Sequence, residues 1–164
     1  MKELYYPIAL KLKDKSVLVV GGGQVAERKV KTLLRFGARV RVVSPDLTAA
    51  LRKLAKFRRI ARRDRVVKPP DVEGVDLIIA ATSDAVVNKK ISAWAKKRGI
   101  LVNVVDRTPL SSFISPAILR TPKAVVAVYT HGMDPVLSRD LKNFLKENWN
   151  VFLSYRNRLQ KRSH

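Results

Sequence analysis

The first hundred residues alternate between short unbroken apolar runs and longer segments whose apolar residues recur at helical spacing. The runs are rich in β-branched residues and are bounded by glycine or polar residues, which is typical of buried strands. The predicted strands span residues 16–20, 39–44, 75–81 and 100–105. Two of the predicted helices span residues 24–36 and 84–98. A third is predicted to begin with Ser44 as N-cap and Pro45 as first helical position, and to run for about ten residues. Strands that alternate with helices in this way predict an α/β fold with a parallel, doubly wound sheet.

The pattern is weaker outside these elements. Residues 57–67 are basic and poorly patterned, and are predicted as an edge strand that ends before Pro69 and Pro70. The elements predicted after residue 106 are a polar loop at 107–115, an isolated strand at 123–130, a helix from Asp134-Pro135 and a helix over 149–159. Because one strand and two amphipathic helices bury little core alone, we expect them to pack on the first domain or on another chain. The predicted division is therefore an α/β domain at 1–113 and a dimerisation and helical tail at 114–164.

A glycine motif follows the first predicted strand directly. Residues 21–26, Gly-Gly-Gly-Gln-Val-Ala, fit the pattern G-x-G-x-x-G/A, with a strand before it and a helix after it, which is the context the motif requires. Gly21 permits the tight turn, Gly23 lets backbone amides approach a pyrophosphate, and Ala26 keeps the helix close to the sheet. The motif therefore predicts a Rossmann-type dinucleotide-binding domain.

The choice between the two nicotinamide cofactors depends on the end of the second strand. An acid there binds the ribose hydroxyls of NAD, whereas an arginine accepts the 2′-phosphate of NADP. Asp46 lies 25 residues after Gly21 and close to this place, and Arg41 lies within the strand. We favour NAD on the basis of Asp46, with NADP as the alternative.

Two further polar segments follow predicted strands. Residues 81–84, which include Thr82, follow the strand at 75–81, and residues 103–106, which include Asn103 and Asp106, end the strand at 100–105. Because ligands of such sheets bind beyond the carboxyl ends of the strands, we expect both segments to lie beside a bound cofactor. Asp106 is then either a carboxylate of the site or an ordinary turn or cap aspartate.

The charge of the chain is unusual for such a domain. Its 164 residues include 34 lysines and arginines against 13 aspartates and glutamates, a formal net charge of +21. Such a charge attracts nucleic acid, an anionic membrane or a carboxylated small molecule, or it serves only as a solvated surface. Nine of the basic residues lie within residues 52–68, beside one acid, Asp64, and one aromatic residue, Phe57. Nucleic-acid binding is not favoured, because no series of stacking aromatic residues is interleaved with the charges.

The remaining composition points to a cytoplasmic protein. No apolar run approaches the ~20 residues that span a bilayer, and the N-terminus lacks the apolar stretch of a secretory signal. There is no cysteine and there are two histidines, His131 and His164, so no metal-ligand cluster is expected.

Several segments, in order along the chain, resemble the precorrin-2 dehydrogenases, a family that includes the N-terminal part of the trifunctional siroheme synthases. The similar segments are Pro7, VLVVGGGQVAERK at 17–29, Gly37-Ala38, AATSD at 80–84, Asn88, NVVD at 103–106, FISP at 113–116 and HGMDP at 131–135. The resemblance implies a homodimeric cytoplasmic enzyme that oxidises precorrin-2, an octacarboxylate tetrapyrrole, to sirohydrochlorin with NAD. Some family members also insert ferrous iron to form siroheme, and this second activity stays open.

The resemblance also implies roles for particular residues. Asp106 takes the place of the family's essential carboxylate, and the cofactor contacts fall on Gln24-Val25 and Pro45-Asp46, beside Gly21, Gly23 and Thr82. Thr130 lines the proposed tetrapyrrole cleft, and Asn103 and His131 are candidate substrate contacts. His131 stands where the family has glycine or another small residue, so it either assists chelation or is only a turn residue.

Two other classes of function remain as alternatives. The first is a basic nucleic-acid-binding module, and the second is a nucleotide-sensing domain of the same fold that binds a cofactor without turnover. In the second alternative, Asp106 would be dispensable. A dehydrogenase acting on another acidic substrate is a third possibility within the enzyme class.

Overall fold

The structure, a computed structural model, describes residues 5–105 and 107–162. Of residues 161 and 162 it describes only the backbone. The chain divides into two compact units. The first unit is Tyr6–Phe113, and the second comprises, among the described residues, Tyr5 and residues 114–162.

The first unit contains a five-stranded sheet in which all strands are parallel. The strands are β1 (Ser16–Val20), β2 (Arg39–Val43), β3 (Ala61–Arg63), β4 (Leu77–Ala80) and β5 (Leu101–Val104), and their order across the sheet is β3-β2-β1-β4-β5. The chain moves outward from β1 to one edge and then crosses to β4 on the other side. This reversal places a switch point between the carboxyl ends of β1 and β4, where ligands of open α/β sheets bind.

Helices cover both faces of the sheet. They are α1 (Gln24–Arg35), α2 (Ala49–Lys56) and α3 (Ala85–Lys97). On one face, Ala26 and Val30 of α1 and Leu51 of α2 pack with Val19 of β1 in one buried cluster. On the other face, Ile91 and Ala95 of α3 pack with Leu18 and Ile78 in a second cluster. The predicted Rossmann-type α/β fold is confirmed, because the sheet is parallel and helices pack on both of its faces.

The helix predicted to begin at Ser44 and Pro45 begins at Ala49 instead. The N-cap is Thr48, whose side chain accepts a hydrogen bond from the backbone N–H of Leu51 at 3.2 Å. Ser44 continues the extended chain, because its backbone N–H donates to the carbonyl of Arg63 at the end of β3 (3.1 Å). The Ser-Pro sequence is therefore a loop between β2 and α2.

The edge strand predicted over 57–67 is three residues long. A short 3₁₀ helix, Pro69–Val72, follows it and carries Asp71, whose carboxylate is fully buried. Asp71 receives hydrogen bonds from Arg63 (2.7 Å), from both terminal nitrogens of Arg65 (2.7 and 2.8 Å) and from the backbone N–H of Lys68 (2.8 Å). A buried carboxylate with this many donors fixes the path of the chain from β3 toward β4.

The outer edge of β5 is covered by serine side chains. The backbone N–H groups of Val102 and Val104 donate to the hydroxyls of Ser112 (2.8 Å) and Ser111 (2.9 Å), and the backbone N–H of Ser112 donates to the carbonyl of Val102 (2.8 Å). The segment predicted as a polar loop at 107–115 therefore contains a 3₁₀ turn, Thr108–Leu110, and then runs back along β5. The serines take the place of a neighbouring strand.

The second unit is a hairpin with two helices. Its elements are β6 (Ala117–Arg120), β7 (Val125–Val128), α4 (Pro135–Glu147) and α5 (Trp149–Arg162), and β6 pairs antiparallel with β7. The prediction of an isolated strand over 123–130 was wrong, because β6 was missed. Helix α4 begins at Asp134-Pro135 as predicted, and the carboxylate of Asp134 accepts from the backbone N–H of Leu137 at 2.7 Å. Helix α4 packs on both strands of the hairpin.

Candidate functional site

Gly21 joins three loops at the switch point. Its backbone N–H donates to the carbonyl of Val43 at the end of β2 (3.0 Å), and its φ of 113° lies in the region that favours glycine. A Cβ at this position would overlap the carbonyl oxygen of Ala81 and would lie 3.2 Å from the backbone N of Thr82, in the loop after β4. The loops after β1, β2 and β4 therefore meet at one glycine.

Gly22 has a role that the glycine motif does not predict. A Cβ on Gly22 would overlap the carbonyl oxygen of Asp46 and lie 2.8 Å from a side-chain carbon of Leu47. The carbonyl of Gly22 accepts the backbone N–H of Thr48 at 2.9 Å. The segment between β2 and α2 thus rests directly on the glycine loop. The only sequence signal for this contact is a third consecutive glycine at a position the motif leaves free.

Gly23 lies at the N-terminus of α1 and faces open space. Its backbone is extended (φ −80°, ψ −173°), and apart from its immediate chain neighbours no described residue lies within 4 Å of where its Cβ would be. Gln24 is exposed, Val25 is half-buried and Ala26 is fully buried against the sheet. The amide groups of the first helical turn and the positive end of the helix dipole can therefore receive an anion beside Gly23.

Thr82 is held in the loop after β4 by a buried asparagine. The hydroxyl of Thr82 donates to Oδ1 of Asn88 (2.8 Å), and Nδ2 of Asn88 donates to the carbonyl of Thr82 (2.9 Å). The same hydroxyl accepts the backbone N–H of Asp84 (3.2 Å), and Asp84 caps α3 through the N–H groups of Val86 and Val87. Asn88 is among the residues that resemble the family, but the sequence predicted no role for it; its place four residues after the cap Asp84 was a second signal.

Pro45 and Asp46 are exposed beside the glycine loop, and Arg62 lies next to them. Nη2 of Arg62 is 3.4 Å from the carbonyl oxygen of Pro45 and 2.7 Å from a carboxylate oxygen of Asp64. The carboxylate of Asp46 forms no hydrogen bond or ion pair with any described residue. Sequence reasoning considered Arg41 as the arginine near the cofactor and missed Arg62.

The end of β5 lies beside the end of β4, since the backbone N–H of Val105 donates to the carbonyl of Ala80 at 2.9 Å. Asn103 on β5 is buried, and its Nδ2 donates to the carbonyl of Phe113 (3.1 Å). Its Oδ1 accepts no hydrogen bond from a described residue. Asp106, the predicted catalytic carboxylate, lies outside the described residues.

Thr130 and His131 belong to the second unit. The hydroxyl of Thr130 is 2.9 Å from that of Ser138 and 2.8 Å from the carbonyl of Asp134, so it is engaged at the start of α4. His131 is exposed and adopts a φ of 53°, which a glycine would adopt without strain. The expectation of a glycine or small residue at this place thus has a conformational reason.

The pKa values of two carboxyl groups in the first unit are lowered, one near the glycine loop and one farther from it. A hydrogen bond from Lys31, and then one from Thr48, lower the pKa of Glu27 on α1. Farther from the loop, hydrogen bonding by Arg65 outweighs burial and lowers the pKa of Asp71 from 3.8 to about 2. Asp71 is therefore ionised at neutral pH and holds two arginines at the end of β3.

The structure brings part of the predicted site together. Gly21, Gly23, Asp46 and Thr82 lie on loops that contact one another at the carboxyl edge of the sheet, as described above. Within residues 5–105 and 107–162, no three histidine, aspartate or glutamate side chains are grouped so as to hold a metal ion. In the same part of the chain, no helix has the length and apolar character needed to cross a bilayer.

The chain resembles known proteins over most of its length. A family described as putative NAD(P)-binding matches residues 8–117. The siroheme synthase of Nitrosomonas eutropha is 44% identical over 139 residues, and that of Methylobacillus flagellatus is 46% identical over 136 residues. These alignments cover 84% and 83% of this chain but 29% of each relative, so the chain spans less than a third of the length of these relatives.

Among solved structures, SirC, a precorrin-2 dehydrogenase, superposes with a TM-score of 0.76 at 32% sequence identity. The superposition covers 88% of this chain and 71% of SirC.

Proposed function

The chain belongs to the family of the precorrin-2 dehydrogenase SirC and of the matching part of the siroheme synthases, and on this premise we propose that it oxidises precorrin-2 to sirohydrochlorin with NAD. The reaction removes a hydride and a proton from the macrocycle, and the products are sirohydrochlorin, NADH and a proton. The nicotinamide of the bound cofactor supplies the hydride acceptor. The protein supplies binding, orientation and the transfer of the proton.

The observation that carries this proposal is the open face at Gly23. The first turn of α1 begins at Gly23, beside which there is room for a ligand, at the switch point of a doubly wound sheet. This fits a pyrophosphate, which needs amide donors and close approach of the backbone. Gly21 supports the turn, and we assign contacts with the cofactor to Gln24 and Val25.

The ribose and nicotinamide parts of the cofactor are assigned to the neighbouring loops. Asp46 has a carboxylate without a polar partner among the described residues, beside Pro45 at the end of β2, and it suits the hydroxyls of the adenosine ribose. Thr82, held by Asn88, lies in the loop after β4 on the other side of the switch point. The two hydrogen bonds, one accepted and one donated by Asn88, position this loop through contacts within the protein.

We propose Asp106 as the group that accepts the proton. It directly follows Val105, whose N–H pairs the end of β5 with the end of β4 at the edge where ligands of this fold bind. The Oδ1 of Asn103, which accepts no hydrogen bond from a described residue, is the atom proposed to contact substrate. Thr130 and His131 stay proposed substrate contacts, although the hydroxyl of Thr130 already has partners at the start of α4. The net charge of +21 attracts a substrate with eight carboxylates.

We also propose that the protein is a homodimer that uses α4 and α5. Exposed apolar side chains lie on both helices, with exposed fractions of 44–65%. They are Val136, Leu137, Leu141 and Phe144 on α4 and Val151, Phe152, Tyr155 and Leu159 on α5. So many exposed apolar side chains on two successive helices favour burial in an interface. The cytoplasm stays the predicted compartment.

The test is anaerobic incubation of the protein with precorrin-2 and NAD, followed by the absorbance of sirohydrochlorin and of NADH. We expect product that depends on NAD, and a loss of about a hundredfold or more in turnover for Asp106→Asn if it is the proton acceptor. The affinity for NAD of this variant should stay within about twofold of wild type, because the pyrophosphate and ribose contacts are elsewhere. Product formation that persists in the variant removes Asp106 from the mechanism, and folded protein that forms no product refutes the proposed reaction.

A further inference from the structure

Arg62 occupies the place where the fold distinguishes the two nicotinamide cofactors. The segment after β2 is held from two sides: the backbone N–H of Thr48 donates to Gly22, and the backbone N–H of Ser44 donates to Arg63. The guanidinium of Arg62 lies against the carbonyl of Pro45, one residue before Asp46. The guanidinium therefore lies against the residue that precedes Asp46, in the loop after β2, where NAD requires a carboxylate and NADP a guanidinium.

Some N–H groups of the Arg62 guanidinium have no hydrogen-bond acceptor among the described residues. Both of its described contacts, with Pro45 and Asp64, are made by Nη2. Nε and Nη1, which carry three N–H groups, reach no acceptor within residues 5–105 and 107–162. Arg63 and Arg65 differ from Arg62 because both are bound to the buried carboxylate of Asp71. Arg62 is thus the arginine of the three that lies against Pro45, and the acid it contacts is exposed and not buried.

The acid that Arg62 now contacts would compete weakly. The side chain of Asp64 is 62% exposed, and ion pairs at such exposed positions contribute about 0–1 kcal/mol. A phosphate monoester is close to dianionic at neutral pH and pairs with two N–H groups of a guanidinium at once. A 2′-phosphate would therefore displace Asp64 from Arg62 or share the guanidinium with it.

We propose that the site accepts NADP as well as NAD, with Arg62 pairing with the 2′-phosphate of NADP and Asp46 binding the ribose hydroxyls of NAD. This inference rests on the proposed dinucleotide site. Asp46 repels the 2′-phosphate that Arg62 attracts, so each residue favours one cofactor. The cofactor preference of the protein is then set by two neighbouring side chains with opposite effects.

The test is calorimetric titration of the purified full chain with NAD and with NADP, at low and at physiological salt. Wild-type protein should bind both within about tenfold, since the loss of one charged hydrogen-bonded contact is worth roughly that factor. Arg62→Ala should weaken NADP by about tenfold or more and change NAD by less than about twofold. Asp46→Ala should have the opposite effect, with weaker NAD and stronger NADP.

Two control variants separate recognition from general charge and from loop damage. Arg59→Ala removes the same charge from an exposed residue that forms no ion pair with a described residue, and it should leave both affinities unchanged. Arg62→Lys keeps the charge but loses the two-pronged geometry, and its affinity for NADP should lie between those of wild type and Arg62→Ala. Equal weakening of both cofactors by Arg62→Ala would overturn the inference.

The remaining outcomes are also decisive. Wild-type binding of NAD with NADP more than about a hundredfold weaker would refute the role of Arg62 and leave the proposed dehydrogenase intact. A folded protein that binds neither cofactor would refute the proposed function together with this inference.

Discussion

The carbonyl oxygen of Asp46 rests on the α-carbon of Gly22, and no Cβ fits between them. The glycine loop and the segment that carries Asp46, which are proposed to bind the pyrophosphate and the ribose, are therefore in direct backbone contact. The N–H of Thr48 adds a hydrogen bond to the carbonyl of Gly22. Both contacts fix the position of one half of the proposed cofactor site relative to the other.

Gly22→Ala is expected to destabilise the protein. The new methyl group overlaps backbone rather than the end of a flexible side chain, so the loop at 45–47 must shift, and overpacking of this kind costs about 2 kcal/mol. Thermal unfolding at fixed protein concentration should show a midpoint lower by roughly 5 °C. An unchanged melting temperature would show that the loop at 45–47 shifts without a loss of stability.

Gly23→Ala, one residue away, is expected to act on binding instead of folding. Nothing lies within 4 Å of its Cβ, and its extended backbone suits alanine, so stability should change by less than about 1 kcal/mol. The methyl group would stand where the pyrophosphate approaches, and the affinity for NAD should fall by about tenfold or more. Titration with NAD measures this change. An affinity of the variant equal to that of wild type would show that the pyrophosphate does not bind beside Gly23.

Much of the first unit was predictable because its strands are nearly continuous apolar runs and its helices keep one apolar face. The start of α2 was not predictable from local signals. Ser44-Pro45 has the composition of a helix start, but the N–H of Ser44 is bound to Arg63, which is nineteen positions farther along the chain. Thr48, another residue type that is preferred as an N-cap, begins the helix instead.

The residues missed in the site share one physical cause. Gly22, Asn88 and Arg62 each contact the backbone of a loop from another part of the chain, and the glycine motif describes only contacts with the ligand. Strand β6 was missed because its four residues carry no alternating pattern and its pairing with β7 is tertiary. Spacing along the sequence predicts which residues face a cofactor, but not which loops support each other.

Asp71 should make stability depend on pH in the acid range. Its pKa is about 2 in the folded protein and near 3.8 when unpaired, so the stabilisation is complete above about pH 4 and is lost as the pH falls toward 2. Urea unfolding between pH 2 and pH 7 should show Asp71→Asn less stable by about 2 kcal/mol at neutral pH. The difference from wild type should shrink below pH 4, and a constant difference would contradict the assigned ion pairs.

Phe144→Asp should convert the proposed dimer to a monomer. The side chain of Phe144 is 59% exposed on α4, so its replacement costs little in the isolated chain but places a charge in an apolar interface. Sedimentation at micromolar concentration measures the change in mass. Lys146→Glu, at an exposed residue on the other side of α4, is the control and should leave the mass unchanged. A monomeric wild type would refute the proposed assembly.

The short edge strand β3 also has a consequence for solubility. All three of its residues are exposed, two are arginines, and among the described residues no strand lies on its outer side. An open strand edge can recruit a second molecule by extending the sheet, and like charges on the edge oppose such growth. Neutralising the arginines of this edge would thus remove a barrier to fibril formation, so the high charge protects the folded protein from aggregation whether or not it also attracts ligands.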